Sequence, residues 1–188
     1  MDDHPTVRAL ADALRSWHVL LDGIDTADLA LATVNPGWSV GDVINHAIAV
    51  TAKFTAFADG TTDRPRTAGR DFIGTGHRAA WGLAADRALT AWRSADPRRH
   101  CRLPFGTFTA QQAAGINLFD LLAHGWDLHQ ATGATFTCTN AAWAAGLNAA
   151  RLAIGTQRDL RHYAPEIPAP SDAPPQTRLL NYLGRRPT

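Results

Sequence analysis

The stretch TAQQAAGINLFDLLAHGWDLHQATG, Thr109 to Gly133, decides how the chain is read. Thr109 followed three residues later by Gln112 is a capping box, in which each side chain bonds the other's backbone N–H, so a helix starts near Ala110. Gly133 closes it, because a residue without a Cβ ends helices at little steric cost. On a wheel with Asp120 at zero, His124 falls at about 40°, Asn117 at about 60° and Asp127 at about 340°, with Ala113 and Ala131 at about 20°. Four polar groups thus share an arc of about 80° on a mostly apolar helix, with small residues above and below them.

Helical signals continue on both sides of this stretch. Pro5 suits a first helical turn, and Val7, Leu10, Ala11, Leu14, Trp17, Leu20 and Leu21 follow at spacings of three and four, predicting a helix to about Leu21. After Asn35-Pro36-Gly37, Ser39 and Asp42 form a capping-box-like start, with Asp in place of Glu, for a helix to about Ala58. Thr61 to Gly76 reads as a surface loop. A third helix fits His77 to Ser94 on its apolar set Trp81, Leu83, Ala84, Ala88, Leu89 and Trp92, and Asp96-Pro97 stops it. Arg98 to Thr109 reads as extended. Asn140 caps a fifth helix to about Arg161, and the Pro-rich tail ends in a short amphipathic turn at Arg178 to Leu183. Each apolar stripe must bury against another helix, so the expected fold is all-α: a four-helix bundle with short extra helices and a Pro-rich C-terminal tail. One domain is expected over residues 1–188, with residues 164–188 packed on it.

The 188 residues are 45% apolar and 19% charged, enough to build one core and keep it soluble. A net charge of +1 offers no electrostatic footprint for nucleic acid or an anionic membrane. Seventeen of the 18 basic residues are Arg, the exception being Lys53, which points to GC-rich codons rather than to chemistry. Cys101 and Cys138 make no disulfide framework and no CxxC pair, the N-terminus lacks a signal peptide's basic start and apolar run, and no apolar run is long enough to span a bilayer. The expectation is a cytoplasmic protein that meets a small-molecule substrate, with no nucleic-acid or membrane partner, as a monomer or homodimer. Trp81, Trp92 and Trp143 serve either a dimer face or the core.

Asp120 and His124 lie one turn apart, the spacing at which a carboxylate and an imidazole reach one metal ion. The third ligand must come from another helix, and the second helix offers His46 at the margin between its polar face (Asp42, Asn45, Lys53) and its apolar one. Two His and one carboxylate leave coordination positions open and suit Zn, Fe, Ni or Co. A plainer reading stays open: an Asp-xxx-His pair is commonly an intrahelical hydrogen bond, and His46 has Asp42 one turn before it. His129 lies about 140° from His124 and is read as unrelated, while His77, His100 and His162 lie near loops or helix ends, where exposure is the default. Cys101 and Cys138 have no adjacent His and read as small, partly buried residues rather than nucleophiles.

NPGWSVGDVIN, Asn35 to Asn45, followed by His46, together with FDLLAHGWDLHQATG, Phe119 to Gly133, resembles the actinobacterial branch of the DinB superfamily, the mycothiol-dependent maleylpyruvate isomerase-like proteins. The closing APEIPAPSDAPPQTRLLNYLGRRP resembles the C-terminal signature of a small subfamily there, described as metal-binding. The resemblance implies a divalent transition metal, Zn, Ni or Fe, at one end of the bundle, held by His46, Asp120 and His124. Family members often carry Glu where this chain has Asp120. It also implies Trp38 and Trp126 as packing residues near the site, Asp127 either orienting a ligand from behind or serving as an interhelical salt-bridge partner, and Asn117 bonding a metal-bound water. Characterised relatives use mycothiol as a nucleophile in isomerisation or S-transfer, so a transferase or isomerase acting on a small electrophile is the leading expectation. Arg158 and Arg161 are candidates for an anionic partner. A metal-dependent hydrolase, lyase or cyclase and a non-catalytic metal- or ligand-binding stress protein are the alternatives.

Overall fold

Short-range hydrogen bonds set most helix ends where the sequence places them. The computed structural model describes residues 4–61, 70–74, 76–103, 106–155, 158–160 and 163–187. Helix α1 (Pro5–Asp22) begins at Pro5, with His4 Nδ1 accepting from the N–H of Thr6. Helix α2 (Val40–Ala58) opens on the reciprocal box: Ser39 Oγ accepts from Asp42 N–H at 3.2 Å and Asp42 Oδ2 accepts from Ser39 N–H at 2.9 Å. The Ser39 hydroxyl, which also donates to Asp42 Oδ2 at 2.7 Å, and then the Ser39 N–H pull the Asp42 carboxyl below its usual range and commit it to the cap rather than to His46. Helix α3 (His77–Ser94) follows, and α4 (Ala110–Thr132) carries the Thr109–Gln112 box at its start and Gly133 at its end.

Four details differ from the sequence reading. Residues Arg98 to Thr109 contain not one extended run but an antiparallel pair, β1 (His100–Leu103) with β2 (Gly106–Thr109), in register His100 with Thr109. Helix α5 (Asn140–Ile154) is capped by Thr139, so Asn140 is its first residue, and it ends at Ile154, well before Arg161. Gly155, at φ +57, turns the chain there and returns its N–H to the carbonyl of Arg151. A 3-10 helix at Thr26–Ala30 carries no strong sequence signal, and α6 (Pro175–Tyr182) begins three residues before the expected turn. Most of the Thr61–Gly76 loop lies outside the described residues; at its end Asn45 of α2 accepts from Phe72 N–H at 2.6 Å and donates to the carbonyl of Arg70 at 3.0 Å.

Helices α1 and α2 each pack against both α3 and α4, which closes a four-helix ring, and α5 covers α4 and α1 while α6 covers α5. The interior is filled by Leu10, Leu14 and Trp17 of α1, Val43, Ile44 and Ala47 of α2, Trp81 and Ala88 of α3, and Leu118, Leu121 and Leu122 of α4, all buried. Each large side chain there contributes about 1.5–3 kcal/mol from removal of apolar surface from water. Trp17 stacks on Trp81 at 4.8 Å and donates its indole N–H to the carbonyl of Leu121 at 2.9 Å. Trp81, Trp92 and Trp143 are all buried, so these tryptophans belong to the core rather than to a dimer face. Among the described residues no helix is long and apolar enough to cross a membrane.

Candidate metal centre

Helix α4 supplies Asp120 and His124 one turn apart, and α2, packed beside it, supplies His46. Asp120 Oδ1 lies 3.5 Å from His46 Nε2 and 3.8 Å from His124 Nε2, and one ligand atom from each of the three residues lies within 4.8 Å of the others. The imidazole rings meet at 4.9 Å and 72°. A tetrahedral ion with bonds of about 2.0–2.2 Å places its ligand atoms about 3.4 Å apart, so a small inward movement of the two rings completes such a set. Among the described residues His46 Nε2 and Asp120 Oδ2 are buried without a hydrogen-bond partner, an arrangement that costs free energy unless something fills it. Donor chemistry, spacing and orphaned atoms together fit a divalent transition metal.

Without a cation the same groups pair with one another. Burial opposes a charged His46, yet the neighbouring Asp120 carboxylate outweighs it and raises the imidazole above its usual 6.5. Asp120 is likewise pushed up by burial but pulled below the usual carboxylate range by His46 and His124.

Behind His124, its Nδ1 lies 3.0 Å from Oδ2 of Asp127, which is fully buried. An ionised carboxylate only accepts, so Nδ1 carries a proton and Nε2 is the nitrogen that faces Asp120. Asp127 also accepts from Asn35 Nδ2 at 2.9 Å and from Arg185, whose Nε reaches Oδ1 at 2.7 Å and Nη2 reaches Oδ2 at 2.6 Å. Burial opposes this charge, but the Arg185 and His124 contacts hold the carboxyl far below its ordinary range.

Trp38 stands over the site, stacked on His124 at 6.1 Å and 10° and edge-on to His46 at 5.0 Å. It is 37% exposed, because the Asn35–Gly37 turn presents it at the rim, and it packs beside both imidazoles as a partly solvated wall. Trp126 is buried on the other side of α4, about 240° from Asp120. Asn117 is fully buried and its amide has no partner among the described residues. His129 bonds the carbonyl of Ala134 and stays apart from the site, whereas His77, expected at the surface, is buried with Nε2 3.0 Å from the carbonyl of Ile24. Arg158 is engaged by the Tyr182 ring, 4.6 Å away, and the carbonyl of Ala164; Arg161 lies outside the described residues.

Sequence reasoning missed Asn35, Arg185 and Tyr163. Tyr163 lies near enough for the Asp120 charge to add to burial, which together push its phenol up to about 12. The signal for Arg185 was indirect: a carboxylate on the inward arc beside His124 needs a cation, and only long-range packing brings one there.

Gly125, next to His124, is required by its surroundings. A Cβ there would overlap the Phe136 ring, which lies across this part of α4.

Two uncharacterised proteins of Mycobacterium tuberculosis, from strains CDC 1551 / Oshkosh and H37Rv, are each 29% identical to the chain over 173 residues, covering 90% of it and 92% of their own length. No solved structure gives a significant match. The sequence model of the mycothiol maleylpyruvate isomerase N-terminal domain matches residues 10–129, a span that takes in α2, Trp38, all three candidate ligands and Asp127. On that match across most of the chain, the protein belongs to the mycothiol maleylpyruvate isomerase N-terminal domain family, within the DinB-like superfamily.

Proposed function

We propose that the chain is a metal-dependent enzyme using a low-molecular-weight thiol, mycothiol, in an isomerase or S-transferase reaction on a small electrophilic substrate in the cytoplasm. One observation carries this reading: His46, Asp120 and His124 converge with ligand atoms inside 4.8 Å, while His46 Nε2 and Asp120 Oδ2 are buried with no hydrogen-bond partner among the described residues. A divalent cation held there by His46, Asp120 and His124 would supply Lewis acidity that lowers the pKa of a nearby thiol. The chain's own groups prepare that position. His46 and His124 offer neutral Nε2 atoms, Asp120 offers one negative charge, Asp127 sets the His124 tautomer, and the Trp38 indole shields one side from water. Addition of the thiol forms a C–S bond, passes its proton to solvent and moves an electron pair onto the substrate's activating group. In isomerisation the C–S bond breaks again after rotation about the adjacent C–C bond; in transfer a leaving group departs with its bonding pair.

A metal- or ligand-binding role without turnover is the second reading. It draws on the position of Trp38 over both imidazoles and on the small size, about 210 Å³, of the neighbouring cavity walled by Trp38 and Asn35. Elemental mass spectrometry of untagged protein tests the first requirement of both: about one equivalent of transition metal is expected in the wild type and none in His46→Ala, Asp120→Ala or His124→Ala. Metal-free protein even after reconstitution refutes the reading. Mycothiol-dependent turnover of a panel of electrophiles by the loaded protein then separates enzyme from binder.

A further inference from the structure

We propose that Arg185 is a positioning residue for the ligand His124, acting through Asp127, so that metal binding and docking of the C-terminal segment are coupled. This rests on the metal reading above.

The side-chain geometry carries the proposal. Asp127 lies wholly inside the protein, and the guanidinium of Arg185 grips both of its oxygens, at 2.7 and 2.6 Å. A two-pronged grip fixes the plane of a carboxylate as well as its position, which a single contact does not. Oδ2, so fixed, is the atom 3.0 Å from His124 Nδ1. Rotation of the carboxylate would turn the imidazole with it and carry Nε2 away from Asp120 Oδ1, now 3.8 Å distant. Asn35 makes only one bond to Oδ2, so Arg185 is the larger part of the clamp.

The chain path explains why this arginine arrives there. Helix α6 buries Leu179, Leu180 and Tyr182, and Leu183 is buried just after it. Past that helix the N–H of Gly184 returns to the carbonyl of Asn181 and the N–H of Arg185 to that of Leu180, reversing the chain. The Asn181 carbonyl also receives the N–H of Ile167, which ties the Pro-rich strand to the same turn. Arg185 therefore reaches Asp127, 58 residues earlier in the chain, only while the segment is docked. Arg186, the next residue, is exposed. Coupling between two sites is reciprocal: what the docked segment adds to metal affinity, the metal adds to docking.

The test titrates full-length protein with Co(II) against a chromophoric chelator. Arg185→Met is expected to weaken binding by about 10- to 100-fold, as loss of a partner behind a metal ligand does, and to shift the Co(II) visible bands. Arg185→Lys recovers part of the affinity, since it keeps the charge and loses the fork. Arg186→Met, which removes the same charge one residue on, leaves affinity and spectrum unchanged. In the wild type, metal loading slows amide exchange across Leu179–Arg186; in Arg185→Met it does not. Should Arg185→Met fail to fold, the double variant Asp127→Asn, Arg185→Met leaves no unpaired charge at position 127 and carries the same measurement, with affinity again expected below wild type. Wild-type affinity in a folded Arg185→Met protein, or exchange in the segment that ignores the metal, overturns the coupling alone. Absence of Co(II) uptake by the wild type overturns the metal reading and the coupling together.

Discussion

Replacing Gly125 by Ala sets two effects of opposite sign against each other. Alanine is the better helix former in the middle of α4 by about 1 kcal/mol. Its Cβ, however, would overlap Cζ of Phe136 and lie 2.5 and 2.7 Å from Cε2 and Cε1, where ordinary carbon contacts are about 3.5–4.0 Å. The ring must withdraw by about an ångström or more, and it has little to gain by doing so. Phe136 is half-buried against the core and meets Trp143 edge-on at 6.2 Å and 85°. Loss of much of the ring's burial, about 1.5–3 kcal/mol, and of the aromatic contact, about 0.5–1.5 kcal/mol, exceeds the helix gain. The net expectation is destabilisation by about 1–3 kcal/mol, at about 2–4 °C of Tm for each kcal/mol in a chain of this length. Thermal and urea unfolding of Gly125→Ala, Phe136→Ala and the double variant in EDTA form the assay. With Phe136 truncated, the same Gly125→Ala change should stabilise by about 1 kcal/mol, giving a coupling of about 2–4 kcal/mol. A Gly125→Ala protein more stable than wild type, or additive effects in the cycle, refutes the steric reasoning.

Three further outcomes follow from the site and the two thiols. His46 is raised above 6.5 in the metal-free protein, so its contribution to stability is complete below that value and disappears as pH rises through the native pKa; Tm in EDTA should fall as pH rises from about 6 to 8, and Asp120→Asn should flatten that fall. Trp38 touches both imidazoles, so most of the tryptophan fluorescence quenched by Co(II) should vanish in Trp38→Phe, and quenching that persists undiminished places the ion elsewhere. Burial pushes the Cys138 thiol up to about 12 and raises Cys101 as well, so both should react slowly with a disulfide reagent at about pH 8 in the native protein and rapidly in urea; a fast native thiol contradicts their assignment as inert.

The helix starts at Pro5, Ser39 and Thr109 were legible because a cap is a bond between residues two or three apart, written in adjacent letters. The Asp120–His124 arc was legible for the same reason, since helix geometry alone sets it. His46 needed a packing guess, that the margin of α2 faces α4, which the α2–α4 contact supports. Arg185 and Asn35 were not legible: their partner lies 58 and 92 residues away, and no local pattern encodes a contact at that separation. The early end of α5 was missed because Gly155 falls inside the expected helix to about Arg161, whereas its positive φ ends the helix there. The partial exposure of Trp38 was not legible, because large aromatics usually bury, whereas the turn before it holds this one at the rim.

The bond from the Trp17 indole to the carbonyl of Leu121 has a bearing on the site that its distance conceals. Apolar contacts have no direction, and a helix surrounded by them alone can roll about its own axis at little cost. An indole N–H aimed at one backbone carbonyl acts as an angular key. A slip of α4 by a single residue would swing Asp120 and His124 through about 100°, and the key would no longer fit. Transplanting the three ligands into another bundle would therefore require Trp17 to travel with them, although it lies on a different helix and is chemically silent.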